Sequence, residues 1–181
     1  MGLYRYEDND FLRSVIKCLV HLLAVVSLAW FIVYSFFGQT IVSGNSMSPV
    51  LEADDICLVN RLAYDLGNPD RYDIVLFERN DNGKTNIKRV VGLPGEQLQI
   101  VSNSIFINGK KLSDDRLGSI SLPGIAENTV VLAADEYFLI GDNADSSEDS
   151  RFQNIGNVKR KNIRGKLWMK ISPFSRFGPI F

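Results

Sequence analysis

The run Ser43-Gly44-Asn45-Ser46-Met47-Ser48-Pro49 sets a serine in a turn-forming context, with Gly44 allowing close backbone approach. A serine of this kind becomes a nucleophile when a neighbouring base takes its proton. The one histidine, His21, lies inside a long apolar segment near the N-terminus, so a Ser-His-Asp triad is excluded. The base must then be something else, and the sequence offers Lys88, in Ile87-Lys88-Arg89-Val90-Val91. A free lysine titrates near about 10.4 and is almost wholly protonated at pH 7. General-base work requires a value of about 7–8. Burial supplies that fall, because desolvation disfavours the charged form, at a cost of about 4 kcal/mol. Strand alternation puts Lys88 on the same face as Val90, within an apolar stretch.

A third segment runs Gly141-Asp142-Asn143-Ala144-Asp145-Ser146-Ser147-Glu148-Asp149-Ser150-Arg151. Its four acids invite a calcium reading, but counting from Asp142 or Asp145 gives no glycine at the sixth position and no glutamate at the twelfth. Ser147 can instead hydrogen-bond a neutral lysine, and Asp149 with Arg151 can form an ion pair that fixes the loop. Taken singly, each motif has a bland reading: a loop serine, a surface lysine on a strand, a solvated acidic turn.

Other chemistries are excluded more simply. Residues 38–181 hold no histidine and one cysteine, which argues against a metal hydrolase. No P-loop and no GxGxxG occurs, so no cofactor is expected. A net charge of −1 does not suggest nucleic acid. Cys18 and Cys57 both sit in apolar runs and read as packing residues, not as a disulfide.

These residues must be positioned by the rest of the chain. Residues 18–37 contain no Asp, Glu, Lys or Arg. Twenty residues of helix rise about 30 Å, the thickness of a bilayer core. Arg5, Arg13 and Lys17 precede this stretch, and no basic residue follows before Arg61. The positive-inside bias then puts residues 1–17 in the cytoplasm, makes 18–37 a single transmembrane helix in the cell membrane, and leaves 38–181 extracytoplasmic. Trp30 and Tyr34 suit the far interface. The competing readings are a cleaved signal peptide and a buried core helix. The stretch is longer than an h-region of about 7–15 residues, and no A-x-A-like site follows it.

Beyond residue 37 the pattern turns to short segments. Thr40–Val42, Ile56–Val59, Asp73–Phe77, Ile87–Val91, Gln97–Val101, Ser104–Ile107, Glu136–Ile140 and Lys166–Ile171 read as strands. Asn108-Gly109 reads as a tight hairpin turn. Helical periodicity is weak, with at most a short turn between Asn60 and Leu66. The fold class expected is a mostly antiparallel β domain behind one N-terminal helix. Residues 102–135 look like a small β insertion. Between Lys159 and Lys170, six of twelve residues are basic, which reads as a solvated face or as a contact with anionic headgroups.

In combination the motifs resemble those of the bacterial type I signal peptidases. The resemblance rests on Ser43 to Pro49, on Arg71-Tyr72-Asp73-Ile74-Val75-Leu76-Phe77, on Lys88-Arg89-Val90-Val91-Gly92-Leu93-Pro94-Gly95-Glu96 and on Gly141 to Arg151, in this order behind one anchor. It runs from the anchor to near residue 171. It implies a membrane-anchored endopeptidase that removes signal peptides from exported preproteins after small residues. Ser46 would acylate, Lys88 would be the general base, and Ser147 would orient the lysine. Asp142, Asp149 and Arg151 would hold the site's shape. The Ser46 N–H would meet the oxyanion. Some members carry a serine two residues before the nucleophile; here Gly44 supplies no side-chain donor. Candidates for the shallow substrate pockets are Val42, Met47, Leu51, Leu76 and Ile87. The expected partners are signal peptides and the lipid bilayer, with no metal and no nucleic acid. A related protease dedicated to one secretion or pilus substrate would carry the same motifs. An inactive single-pass binding module would be expected to have lost Ser46 or Lys88.

Overall fold

A computed structural model describes residues 10–79, 83–113, 116–117 and 120–180. Arg5 and the rest of residues 1–9 fall outside the described residues, as do four positions in the polar part of the 102–135 insertion. The chain divides into two units between Phe37 and Gly38.

The first unit is a helix, α1, spanning Asp10–Phe36. It begins before the charge-free stretch, since Arg13 and Lys17 are good helix formers and need no apolar surroundings to continue it. Within it Phe11–Phe31 has a mean hydropathy of 2.0 and none of its residues is buried in the protein. Its apolar side chains, among them Leu19, Leu23 and Trp30, therefore cover no protein core. At about 1.5 Å per residue those 21 residues rise about 31 Å. His21 Nδ1 lies 2.6 Å from the Lys17 carbonyl, one turn back on the same helix.

The second unit is β-rich and antiparallel. Its strands are β1 (Phe37–Ile41), β2 (Ile56–Asn60), β3 (Ile74–Glu78), β4 (Thr85–Gly92), β5 (Gln97–Val101), β6 (Ser104–Ile107), β7 (Lys110–Lys111), β8 (Val130–Val131), β9 (Glu136–Ile140), β10 (Val158–Lys159), β11 (Ile163–Ser172) and β12 (Gly178–Pro179). The main sheet runs β1-β2-β11-β3-β4-β9-β10, with β12 paired to β11. A smaller sheet, β7-β6-β5-β8, is built from strands between Gln97 and Val131, so its first strand lies before the 102–135 stretch expected as an insertion. Its two hairpins turn on Ser102-Asn103 and Asn108-Gly109, all four at positive φ. That is the two-residue turn whose twist matches the flanking strands. The fold class expected from sequence is the one observed; the additional strands are two-residue pairings too short to leave a periodic signal.

The central strand β4 departs from simple alternation. From Ile87 onward every residue is buried, because both faces of the sheet are covered. Val90 packs in one core cluster with Val75, Phe77 and Leu139. Ile87 packs in another with Val42, Met47, Leu51 and Ile74. Val91 joins a third with Phe138 and Ile140 under the small sheet. This strand therefore holds whatever polar groups it carries in dry surroundings. The basic stretch of 159–170 is less free than its composition suggests. Arg160 donates to the Tyr64 and Gly67 carbonyls and Lys170 to the Val50 carbonyl, while Arg164 and Lys166 pair with Glu78 and Asp73.

Candidate active site

Ser46 sits in the loop that leaves β1 and returns as β2. Reciprocal backbone hydrogen bonds between Val42 and the Asp54-Asp55 turn close the loop's base. Within it the Ser48 N–H donates to Asn45 and the Leu51 N–H to Met47. Met47 and Leu51 plug this tight turn into the core, which fixes the serine between them and the surface. Gly44 adopts φ +75°, and a side chain built there would meet nothing within 4 Å. The glycine thus answers a backbone need at that turn.

Lys88 lies across the β3–β4 ladder from Val75, on the face of Val90, as alternation requires. It is 3% exposed. Its Nζ lies 2.7 Å from Ser46 Oγ. Burial pushes the lysine down from 10.5 to about 8, against the pull of Asp149 and Glu148 and with the help of Arg79 and Arg151. The desolvation demanded of this lysine on chemical grounds is present.

The third motif wraps behind the pair. Gly141 follows β9, and a Cβ there would fall 2.3 Å from Ser147 Oγ and 2.4 Å from the Ser46 carbonyl oxygen. Glycine is required for this close approach. Asn143 then donates its N–H to the same Ser46 carbonyl at 3.1 Å. Ser147 is buried, and its hydroxyl donates to Asp149 Oδ2 at 2.7 Å. With its proton committed there, the hydroxyl keeps its lone pairs for a donor. No hydrogen bond joins it to Lys88 among the described residues, and the Lys88 nitrogen is held by Ser46.

Asp149 and Arg151 form a two-pronged ion pair, with Nε–Oδ1 at 2.8 Å and a second guanidinium nitrogen to Oδ2 at 2.9 Å. Arg151 also donates to the Leu122, Ala144 and Ser147 carbonyls, so one buried guanidinium staples the whole turn. Asp142 has a different partner. Both its oxygens accept from Arg89, each at 2.7 Å, and both side chains are fully buried. Arg89 further donates to the Tyr72 carbonyl. Sequence reasoning assigned Arg89 no role. The signal was available: an arginine in an apolar strand beside Ile87 and Val91 needs a buried acid.

The serine and lysine open into a cleft of about 290 Å³. Val42, Met47, Leu76 and Ile87 line it, together with Thr40, Ile41, Ser43, Gly44, Asn45, Thr85 and Asn86. Of the pocket residues expected from sequence, Leu51 does not line the cleft; it is fully buried in the core that Met47 joins. Ser146 and Glu148 complete the lining. Among the described residues no acceptor engages the Ser46 N–H. No group of three or more His, Cys, Asp or Glu is placed among them to hold a metal ion. Cys57 is buried, and burial pushes its thiol up to about 11, which leaves it protonated and inert.

This arrangement can deprotonate a serine hydroxyl with a desolvated amine at the wall of a cleft of mixed polar and apolar lining. Residues 12–171 match the family described as signal peptidase, peptidase S26. A signal peptidase I of Bacillus caldolyticus is 36% identical over 154 residues, covering 78% of this chain and 82% of that protein. A signal peptidase I of Leptolyngbya laminosa is 33% identical, covering 77% of this chain and 70% of its own. A crystal structure of a signal peptidase I from Enterococcus faecalis V583 is 29% identical, covering 56% of this chain and 97% of that one, with a TM-score of 0.47.

Proposed function

The chain belongs to the signal peptidase family, peptidase S26, a family of serine endopeptidases, and on that premise we propose that Ser46 and Lys88 are its catalytic dyad. The observation that carries the proposal is the 2.7 Å approach of a buried lysine nitrogen to a cleft-lining serine hydroxyl. In the neutral form, Lys88 Nζ accepts the Ser46 proton as Oγ attacks the scissile carbonyl carbon. The carbonyl π pair moves onto oxygen, where the Ser46 N–H donates to it. Collapse of the tetrahedral adduct expels the amine of the mature protein, which takes the proton from Lys88. The signal peptide remains as an ester on Ser46. Water then attacks that ester, giving its proton to Lys88, and collapse returns the proton to Ser46 Oγ.

The remaining residues act by position. Ser147, its own proton committed to Asp149, offers lone pairs to the Lys88 ammonium once it forms. Asp149 with Arg151, and Asp142 with Arg89, keep the loop seated on the Ser46 carbonyl through Asn143 and Gly141. The apolar cleft walls at Val42, Met47, Leu76 and Ile87 leave space for small substrate side chains before the cut. Helix α1 serves as a single membrane anchor with its N-terminus in the cytoplasm. The span is supported by its length, its hydropathy and its freedom from burial, and the orientation by Arg13 and Lys17 before the charge-free stretch with no basic residue after it until Arg61.

The test is cleavage of a preprotein by the full chain in detergent. Ser46→Ala and Lys88→Ala should each lower the rate by more than about a thousandfold. The wild-type rate should rise with pH through a midpoint near the lysine's value of about 8. Undiminished cleavage by either variant refutes the dyad.

A further inference from the structure

Glu148 lines the cleft together with Ser46 and Lys88 and sits between Ser147 and Asp149 in the chain. Its Oε2 accepts from Arg79 at 2.6 Å, while its Oε1 accepts from Asn154 at 2.6 Å. Arg79 stands just past the end of β3, where its N–H donates to the Lys84 carbonyl and its carbonyl accepts from Gly83. It therefore belongs to the hairpin whose second strand carries Lys88. The Arg79 side chain is 9% exposed and that of Glu148 51%. A nearly buried guanidinium thus donates to a carboxylate that lines the cleft, bridging segments 69 residues apart.

We propose that the Arg79–Glu148 ion pair is a positioning device for the reaction, holding the Ser147–Asp149 turn against the β3–β4 hairpin and balancing the charge beside the dyad. The inference rests on the Ser46–Lys88 reading. Lys88 is faced from the 141–151 segment by Asp149, Glu148 and Arg151, and from the β3 end by Arg79. These form two ion pairs, Asp149 with Arg151 and Glu148 with Arg79. Intact, each pair presents opposing influences to the lysine. Arg79 favours the neutral amine and Glu148 favours the ammonium. Removing one member leaves the other unbalanced, so the two single substitutions must move the base in opposite directions. A purely structural pair would damage activity in the same sense whichever member were lost.

The experiment is the pH–rate profile of preprotein cleavage by the full chain, for wild type, Arg79→Gln, Glu148→Gln, the double variant and Arg79→Lys. Arg79→Gln should move the acidic limb to higher pH, cutting the rate at pH 7 roughly three- to tenfold as a fraction of its own plateau, which itself falls below wild type because the tether is lost with either member. Glu148→Gln should move it to lower pH and raise the rate at pH 7 about twofold to threefold as a fraction of its own plateau. The double variant should return the limb to the wild-type position with a lower plateau, which reports the lost tether. Arg79→Lys keeps the charge and should keep the limb, so a folding defect in Arg79→Gln cannot imitate the result. A wild-type limb that both single substitutions leave in place, or move the same way, overturns this inference alone. An unchanged plateau in the double variant overturns the tether. A wild-type profile with no limb near pH 8 removes the dyad reading and this inference with it.

Discussion

Replacing Lys88 with methionine should abolish cleavage and yet stabilise the protein at neutral pH. The lysine falls from 10.5 to about 8 on folding. That corresponds to about 3 kcal/mol of preference for the neutral form. Below about pH 8 both folded and unfolded chains carry the ammonium, and the folded state bears the whole cost of burying it. Between about 8 and 10.5 the folded amine is neutral while the unfolded one still holds its proton, so stability rises with pH. Above 10.5 the penalty is gone. Methionine keeps an unbranched stem and removes the charge, while forfeiting the hydrogen bond to Ser46, worth about 1 kcal/mol. Lys88→Met should therefore gain about 2 kcal/mol at pH 7, or about 4–8 °C in Tm. The gain should vanish by pH 10.5. The assay is urea unfolding of the full chain in detergent at the two pH values, with the difference from wild type taken at each so that other titrating groups cancel. A Lys88→Met protein less stable than wild type at pH 7, or a difference independent of pH, would refute the claim that burial sets this lysine's proton affinity.

Two further substitutions probe the frame around the dyad. Asp142→Ala strands the Arg89 guanidinium in a fully buried site and should cost about 3–5 kcal/mol, seen as a lowered urea midpoint. Gly141→Ala drives a methyl into the Ser46 carbonyl oxygen and Ser147 Oγ, which lie 2.4 and 2.3 Å from where its carbon would be. Cleavage should drop at least a hundredfold, with the β-rich circular dichroism spectrum retained; wild-type turnover would show that the loop can retreat from the serine freely.

Much of the chain was legible because its signals are local. β5, β6 and β9 fall on the residues that alternation and turn residues mark. Asn108-Gly109 turns as its φ tolerance demands. Arg89 was not legible in that way. Its meaning depends on Asp142, 53 residues on, and on a strand buried on both faces. Leu51 shows the same limit from the other side. Its apolar character is equally suited to a cleft wall and to a core, and packing against Cys57 and Leu167 decided for the core.

The amino-acid sequence by itself determined which chemistry was available. With no histidine beyond His21 and one cysteine after residue 37, the list of nucleophile and base types reduced to serine and lysine. It also determined that residues 18–37 form a charge-free stretch long enough to cross a bilayer, since composition and length suffice for that. The tertiary structure decided the lysine's surroundings. Proton affinity depends on burial and on charges brought from elsewhere in the chain, and alternation along one strand reports neither. Folding places Ser46, Lys88 and Glu148 on one cleft and brings Asp149, Arg151 and Arg79 close enough to act on the lysine's charge. Desolvation of Lys88, its largest perturbation, exists only once β3, β4 and the Ser46 loop have closed over it.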